Sequence, residues 1–377
     1  MKFAPLYRDR FHIFKLAVIS LLCVGAWAAF GCTRARAAEP QYLHINTHSA
    51  VLTSFWGQPV SVDAHILLPD SYYKEPRRRY PIMYWIQGFT ALGDIDLDDQ
   101  LIWQDPMRRL KREFIVVFLN GMFNWSHQEF ADSANDGPWG TALTTEFIPE
   151  TESRFRAIGT PQTRFVGGHS SGGWSALWLQ VTYPDLFGGE WSLAPDPVDF
   201  RNFSGPDLTR TPPQNFFNDP QGHFYTIDGK PLRWFVVGPG WEQHQFESFD
   251  TVFSPKGGDG KPEPLFDRKT GTIDPAVAAY WETHYDISRI LGDHWSTLAS
   301  HLRGKLHIFV GDADNFRLNE PVQLLQERLT KLGSDAEVVV APGLNHFTIF
   351  SLNGDAIGYI MREANASLAQ SGAAALR

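Results

Sequence analysis

Short apolar runs recur along the chain and alternate with longer amphipathic segments. Phe114–Leu119 is apolar throughout, which is typical of a strand buried on both faces of a parallel sheet. Six further segments have strand composition: Ala64–Leu68, Ile82–Ile86, Arg164–Val166, Glu190–Leu193, Leu306–Val310 and Ala336–Val340. Helical spacing lies between them, at Gln100–Arg112, Thr141–Arg156, Trp174–Tyr183, Pro321–Leu332 and Ala356–Leu368. The alternation predicts an α/β fold with a mostly parallel central sheet and helices on both faces.

The regular alternation stops between Pro195 and about Leu302. This stretch is rich in Pro, Gly, Asp and aromatic residues, and a helical segment, Pro275–His301, closes it. We interpret it as a loop-rich insertion into one domain, not as a separate domain. Ligands of α/β sheets bind at the carboxyl ends of the strands, so a cap at this edge would shape a substrate pocket.

The first 37 residues have the layout of a secretory signal peptide. Four basic residues precede an apolar stretch, Leu16–Phe30, that is too short and too rich in Ala and Gly for a membrane span. Small residues at Ala35 and Ala37 predict cleavage after Ala37. We therefore predict a periplasmic or secreted protein without a membrane span, whose catalytic domain covers 38–377 with an insertion at about 195–302.

Two other outcomes are open for this segment. Cys32 could be lipidated after Ala29–Gly31, although Phe30 fits such a motif poorly, and an uncleaved anchor is the third possibility. Cys23 and Cys32 are the only cysteines of the chain. A mature chain starting at Ala38 would therefore contain no disulfide, no cysteine nucleophile and no thiolate metal site.

The charge balance narrows the class of partner. Removing the six basic residues and one acid of the leader from whole-chain totals of 33 and 42 leaves 27 basic and 41 acidic residues, a net charge of −14. A chain this acidic is a poor candidate for nucleic-acid binding, because phosphate backbones require basic patches. The expected partner is a small-molecule or glycan substrate, and a few of the Trp residues outside the clear strands could line its pocket.

The clearest chemical signal is the pentapeptide Gly168–Gly172, of the form G-x-S-x-G. A β-type run precedes it and a helix-type run follows it, which is the setting in which such a serine becomes a nucleophile. The turn would raise the Ser170 hydroxyl above the sheet. It would also aim the backbone N–H of Ser171 at a developing oxyanion.

A serine hydroxyl needs a base, and the base needs a carboxylate that orients it. Asp312 and Asp314 both follow the strand Leu306–Val310, and we prefer Asp314, with Asp312 as the alternate acid. His346 follows the last strand and comes after the acid, as the chain order of such triads requires. These positions predict Ser170, Asp314 and His346 as the catalytic set.

The second oxyanion donor is expected in the loop after Ile82–Ile86. There the chain reads Gln87-Gly88-Phe89-Thr90, and Gly88 permits close approach of the backbone. The N–H of Phe89 is the preferred donor, and that of Thr90 is the alternative.

These motifs carry a family resemblance. Gly168–Leu177, followed by Tyr183–Gly188, resembles the esterase family of α/β-hydrolases that includes esterase D, enterochelin esterases, feruloyl esterases and the mycolyltransferase antigens. Glu146–Glu150, Gly311–Phe316 and Pro342–His346 are similar to the same family, whereas the insertion is not. Relatives often have Met where this chain has Ser171, and His-Gly where it has Gln-Gly. Both departures leave the backbone donors in place.

The resemblance implies an α/β-hydrolase fold and a serine esterase that forms an acyl-Ser170 intermediate. His346 would act first as base and then as acid, Asp314 would fix its tautomer, and neither a metal nor an organic cofactor would be needed. An acyltransferase that uses the same acyl-enzyme is the main alternative, and peptidase activity fits less well. A non-catalytic, hydrolase-fold envelope binding protein is the alternative from another class.

Overall fold

A sheet of eight strands organises the part of the chain that the structure, a computed structural model, describes: residues 42–90, 97–238, 243–370 and 372. The strands are β1 Tyr42–Ser49, β2 Val60–Leu67, β3 Ile82–Ile86, β4 Ile115–Leu119, β5 Arg164–His169, β6 Glu190–Leu193, β7 Leu306–Gly311 and β8 Glu337–Ala341. Their order across the sheet is β1-β2-β4-β3-β5-β6-β7-β8. The strands from β3 to β8 are parallel, and β2 is antiparallel to both β1 and β4. The predicted signal peptide lies outside the described residues and stays a prediction.

The helices follow the strands in the predicted alternation. They are α1 Ala50–Trp56, α2 Leu97–Leu110, α3 Trp139–Ala142, α4 Ile148–Arg154, α5 Ser171–Thr182, α6 Leu232–Val237, α7 Gln243–Phe253, α8 Pro275–Tyr285, α9 Ile287–Leu302, α10 Asn319–Lys331 and α11 Ala356–Gln370. The single helix predicted over Thr141–Arg156 is instead α3 and α4 joined by a π-helical turn, Leu143–Phe147. Pro149 at the start of α4 has no backbone N–H, so it fits a helix start better than a helix interior.

Two apolar cores cover the two faces of the sheet. Strand β4 shows why, because all five of its side chains are buried and successive ones point to opposite faces. Val116 and Phe118 belong to one core, with residues of α2 and α11, while Ile115, Val117 and Leu119 belong to the other, with residues of α1 and α4. This arrangement explains the continuous apolar run that identified the strand in the sequence.

Strand β1 is not predicted by the sequence. Its residues, YLHINTHS, contain no apolar run, and only every second residue is buried towards its end. The strand is defined by antiparallel pairing along its whole length with β2. An edge strand with one half-polar face gives a weak pattern when it is considered alone.

Candidate active site

Ser170 occupies the turn between β5 and α5. Its backbone has φ +59° and ψ −125°, a conformation that L-residues rarely adopt. The Ser170 N–H donates to the carbonyl oxygen of Leu193 (2.9 Å), and its own carbonyl accepts the Trp174 N–H (3.0 Å). A Cβ at Gly168 or Gly172 would overlap neighbouring carbonyl groups, so this turn requires glycine at both positions. The strand, turn and helix therefore present the Ser170 side chain at the carboxyl edge of the sheet.

Asp314 and His346 are in contact at the same edge. His346 Nδ1 lies 3.0 Å from Asp314 Oδ2, and the side chains are 3% and 0% exposed. The other oxygen, Oδ1, accepts the backbone N–H groups of Phe316 (2.8 Å) and Leu318 (3.2 Å). These two amides hold the carboxylate so that Oδ2 faces the imidazole.

The alternate acid, Asp312, has a different environment. Its Oδ1 accepts the backbone N–H of Gly343 at 2.8 Å, and the residue is exposed. This contact ties the loop after β7 to the loop after β8. The structure therefore brings Asp314, and not Asp312, to His346.

The loop after β3 packs directly on the serine turn. A Cβ at Gly88 would lie 3.0 Å from Ser170 Cβ and 3.2 Å from the carbonyl oxygen of His169, so the close approach depends on glycine. The Thr90 N–H points at Met122 Sδ (3.3 Å), which gives the alternative donor a partner away from the serine. This contact directs the N–H of Thr90 away from the serine, and the N–H of Phe89 stays the predicted donor.

Ser171, the other expected donor, begins α5. The first N–H groups of a helix have no intrahelical acceptor, so this N–H is suited to bind an anion. The Ser171 hydroxyl donates to Asp196 Oδ2 at 2.6 Å. The carboxyl of Asp196 is buried, and burial, reinforced by the nearby Glu129 charge, raises its pKa to about 7.

A cavity of ≈ 360 Å³ joins these groups. Ser170, His346, Gly88 and Phe89 all line it. Its wall is otherwise mainly aromatic, with three side chains from the insertion and three from the loops around His346: Phe235, Phe246, Phe249, Phe316, Phe347 and Phe350. The predicted insertion therefore contributes side chains to the cavity that contains the serine.

A second cavity, of ≈ 390 Å³, lies near the amino ends of β3 and β4. Four of its five charged side chains form two pairs: Arg108 contacts Asp70 (2.7 Å), and Arg78 contacts Glu113 (2.6 Å). This cavity is at the edge of the sheet away from Ser170. We therefore do not assign it to the reaction.

Two other histidines lie on the central sheet, and each has its own partner. His169 Nε2 lies 2.9 Å from the backbone carbonyl of His346. Loss of solvent contact, together with the neighbouring His346, lowers the pKa of His169 to about 3, so this ring is neutral. His307 stacks on Trp191 within the sheet, at the amino end of β7.

A buried pair that the sequence analysis missed lies beneath the loop after β3. His127 Nδ1 is 3.4 Å from Glu129 Oε1, and the side chains are 1% and 0% exposed. Burial opposes protonation of His127, but the Glu129 carboxylate and the Gln87 carbonyl raise its pKa overall. His127 ends a short ribbon after β4, in which Met122–Phe123 pairs with Ser126–His127, and Glu129 follows it. The ribbon has no apolar periodicity, and the further contacts of the pair are with residues distant in sequence, so no local pattern marks it.

The parallel sheet with Ser170 after β5, Asp314 after β7 and His346 after β8 is the α/β-hydrolase fold. The predicted fold class is confirmed. Within the described ranges no helix is long and apolar enough to span a membrane, and no cluster of His, Cys, Asp and Glu side chains is arranged to hold a metal ion.

The chain belongs to the family described as Putative esterase, whose model matches residues 57–328. Esterase MT1326 and Esterase Rv1288, from two strains of Mycobacterium tuberculosis, are 29% identical to it over 119 residues, or 32% of this chain and 26% of theirs. The match thus spans about a quarter of the length of these curated relatives. The family resemblance read from the sequence is confirmed.

Solved structures with the same fold are more distant in sequence. A ferulic acid esterase superposes with a TM-score of 0.51 at 16% identity, covering 86% of this chain and 99% of the other. An S-formylglutathione hydrolase from Agrobacterium tumefaciens gives 0.52 at 15% identity, covering 86% and 94%. At this identity the similarity is one of fold.

Proposed function

We propose that this protein hydrolyses carboxylic esters through a covalent acyl-Ser170 intermediate. The observation that carries the proposal is the strained Ser170 turn opening into the same cavity as the buried Asp314–His346 pair. Membership of an esterase family supports the reaction class. The roles of the individual residues follow from the hydrogen bonds around them.

In the proposed mechanism, Asp314 sets the tautomer of His346. Nδ1–H donates to Asp314 Oδ2, so Nε2 is unprotonated and can accept the Ser170 proton. Ser170 Oγ then bonds to the ester carbonyl carbon, and the carbonyl oxygen becomes an oxyanion. The N–H groups of Phe89 and Ser171 are the proposed donors to that oxyanion.

The tetrahedral intermediate collapses when the bond to the alcohol oxygen breaks. His346 Nε2–H gives its proton to the departing alkoxide, and the acyl group stays on Ser170. Water then attacks the acyl carbon while His346 accepts a proton from it. The same imidazole returns that proton to Ser170 Oγ as the carboxylic acid leaves.

The cavity indicates the kind of ester. Among the described residues, its lining is dominated by phenylalanine side chains, and Asp196 and the two histidines are the only lining residues with a formally ionisable side chain. Such a wall favours an apolar or aromatic acyl or alcohol group over an anionic one. We therefore propose small-molecule esters with an apolar group as substrates, to be compared in a panel of short acyl, feruloyl and acetyl-sugar esters.

The test combines a fluorophosphonate probe with hydrolysis of p-nitrophenyl butyrate. The expected result is labelling and turnover of the wild type, and loss of both in Ser170→Ala. Ser153→Ala is the matched control, because Ser153 is an exposed serine of α4 whose hydroxyl bonds only to its own helix. A wild type that neither labels nor turns over would overturn the proposal in favour of a binding protein.

A further inference from the structure

The ribbon after β4 holds a buried acid–imidazole pair in a strained backbone. Glu129 and Phe130 are consecutive non-glycine residues with positive φ, +51° and +44°. Two consecutive residues in this conformation strain the backbone, and burying two ionisable side chains is costly before their mutual attraction is counted. Apolar side chains would fill this space at lower cost. The chain therefore keeps His127 and Glu129 for something other than packing.

The hydrogen bonds determine which ring nitrogen of His127 donates. Nδ1 accepts the backbone N–H of Glu129 at 3.1 Å, so the proton of the neutral ring is on Nε2. Nε2 lies 3.1 Å from the carbonyl oxygen of Gln87 and donates to it. Gln87 immediately precedes Gly88 and Phe89. His127 thus fixes the peptide group that enters the loop of the first proposed oxyanion donor.

Glu129, the other member of the pair, is linked to Ser171, the second proposed oxyanion donor. Glu129 Oε2 lies 3.0 Å from the hydroxyl of Ser175, and the same hydroxyl lies 2.8 Å from the carbonyl oxygen of Ser171. The contacts therefore form one buried chain from Gln87 to the first turn of α5. One end is the carbonyl of Gln87, two residues before Phe89, and the other is the carbonyl of Ser171.

The surroundings hold this chain in place. A Cβ at Gly121 would overlap the His127 imidazole, so glycine makes the room for the ring. The backbone of His127 is tied to Ser248 of α7 in both directions, with its N–H donating (2.8 Å) and its carbonyl accepting (3.1 Å). Helix α7 also lines the substrate cavity with Phe246 and Phe249.

We propose that His127 and Glu129 are positioning residues that hold the backbone N–H groups of Phe89 and Ser171 in the spacing that the oxyanion of the transition state requires. The inference rests on the proposed Ser170 hydrolase. Neither side chain lines the substrate cavity. Their loss should therefore affect the transition state more than substrate binding.

The test compares His127→Phe, which fills the space without a donor, with His127→Gln, whose amide can donate from near the position of Nε2. We expect His127→Phe to lower kcat roughly 10- to 100-fold with KM within about 2-fold, less than the loss of an oxyanion donor itself. Affinity for a trifluoromethyl ketone, which forms a tetrahedral adduct, should fall by the same factor as kcat. His127→Gln should recover most of both losses.

The matched control is His307→Phe. His307 Nδ1 also contacts a backbone carbonyl, that of Glu190 (2.9 Å), but at the amino end of the sheet. This variant should keep the wild-type kcat. If His127→Phe and His307→Phe lose kcat to the same extent, the loss comes from replacing any histidine of the sheet region. That result would overturn the proposal.

If His127→Phe does not fold in a thermal melt, Glu129→Gln takes its place, because it keeps the side-chain volume and removes the charge. We expect a loss in kcat of roughly 3- to 10-fold there, with the same loss of ketone affinity. A folded variant with wild-type kcat, or with reduced kcat and undiminished ketone affinity, would overturn the positioning role alone. A wild type without labelling or turnover would instead overturn the proposed function.

Discussion

Two buried carboxylate–imidazole pairs lie at the carboxyl edge of one sheet, and they differ in what their ring nitrogens can do. In the Asp314–His346 pair, Nδ1 faces the acid and the histidine lines the cavity beside Ser170. In the Glu129–His127 pair, both nitrogens contact backbone groups, and the residues lie outside the cavity lining. Similar side chains are thus placed for proton transfer in one case and for holding backbone in the other.

The comparison teaches that an acid–histidine contact does not by itself identify a catalytic base. The atom that the histidine Nε2 contacts decides whether the ring can act as a base. A histidine whose Nε2 donates to a carbonyl oxygen cannot accept a proton from substrate or serine at that atom.

The largest expected effect separates the two pairs directly. His346→Ala should lower kcat/KM roughly 10⁴-fold, because it removes the proposed base. His127→Gln should stay close to the wild type. Hydrolysis of p-nitrophenyl butyrate measures both, and a loss below tenfold in His346→Ala would mean that another group is the base.

The acid of the first pair is tested by two substitutions of equal size. Asp314→Asn should lower kcat/KM roughly 10³- to 10⁴-fold, because the amide stabilises the wrong tautomer of His346. Asp312→Asn should change it by less than about threefold, since Asp312 bonds to the Gly343 backbone. Steady-state kinetics of the two variants would refute the assignment if only the second were inactive.

Asp136, a buried carboxyl near His127, lowers the free energy of unfolding at neutral and higher pH. Neither carboxylate oxygen of Asp136 has a hydrogen-bond partner among the described residues, and the side chain is buried. Burial raises the pKa of Asp136 from 3.8 to about 7, although the nearby His127 opposes the shift. Between these values the unfolded chain loses the proton and the folded protein keeps it, so the wild type loses stability as the pH rises.

Asp136→Asn should therefore raise the free energy of unfolding by roughly 2–4 kcal/mol at pH 8, where the wild-type carboxyl is ionised in both states. At pH 4.5 the gain should be much smaller, because the folded wild type keeps this group neutral. Urea unfolding at the two pH values measures the difference. An equal effect at both would show that Asp136 is not held protonated.

The smallest expected effect concerns Ser248, whose hydroxyl binds the backbone of His127 in the second pair. Ser248→Ala removes the hydroxyl that pairs with the His127 backbone and should cost about 1–2 kcal/mol of folding free energy. The Asp314–His346 pair lies elsewhere at the sheet edge, so kcat should fall only a few-fold. A thermal melt and a kcat measurement check both parts, and unchanged stability would contradict the anchoring contact.

The sequence predicts those parts of the molecule whose signals are local. Ser170, Asp314 and His346 each follow a strand directly, so the parallel sheet collects them at one edge. Strand β4 was evident because it is buried on both faces. These features need no knowledge of distant contacts.

The remainder depends on contacts between distant segments. His127 contacts Gln87 and Glu129 contacts Ser175, pairs separated by 40 and 46 positions in the chain. The aromatic residues of the insertion reach the cavity from α6 (Phe235) and α7 (Phe246 and Phe249), two helices that the sequence did not predict. Pairing with β2 likewise defines β1.

The most direct test of the central claim is to find the acyl group itself. The protein is mixed with p-nitrophenyl acetate, quenched in acid within the first turnovers, digested and analysed by peptide mass spectrometry. The proposed mechanism predicts one added acetyl group on the peptide that contains Ser170, and none on that peptide in Ser170→Ala. Rapid turnover with an acetyl group on another residue, or with no acyl adduct under any quench time, would contradict it.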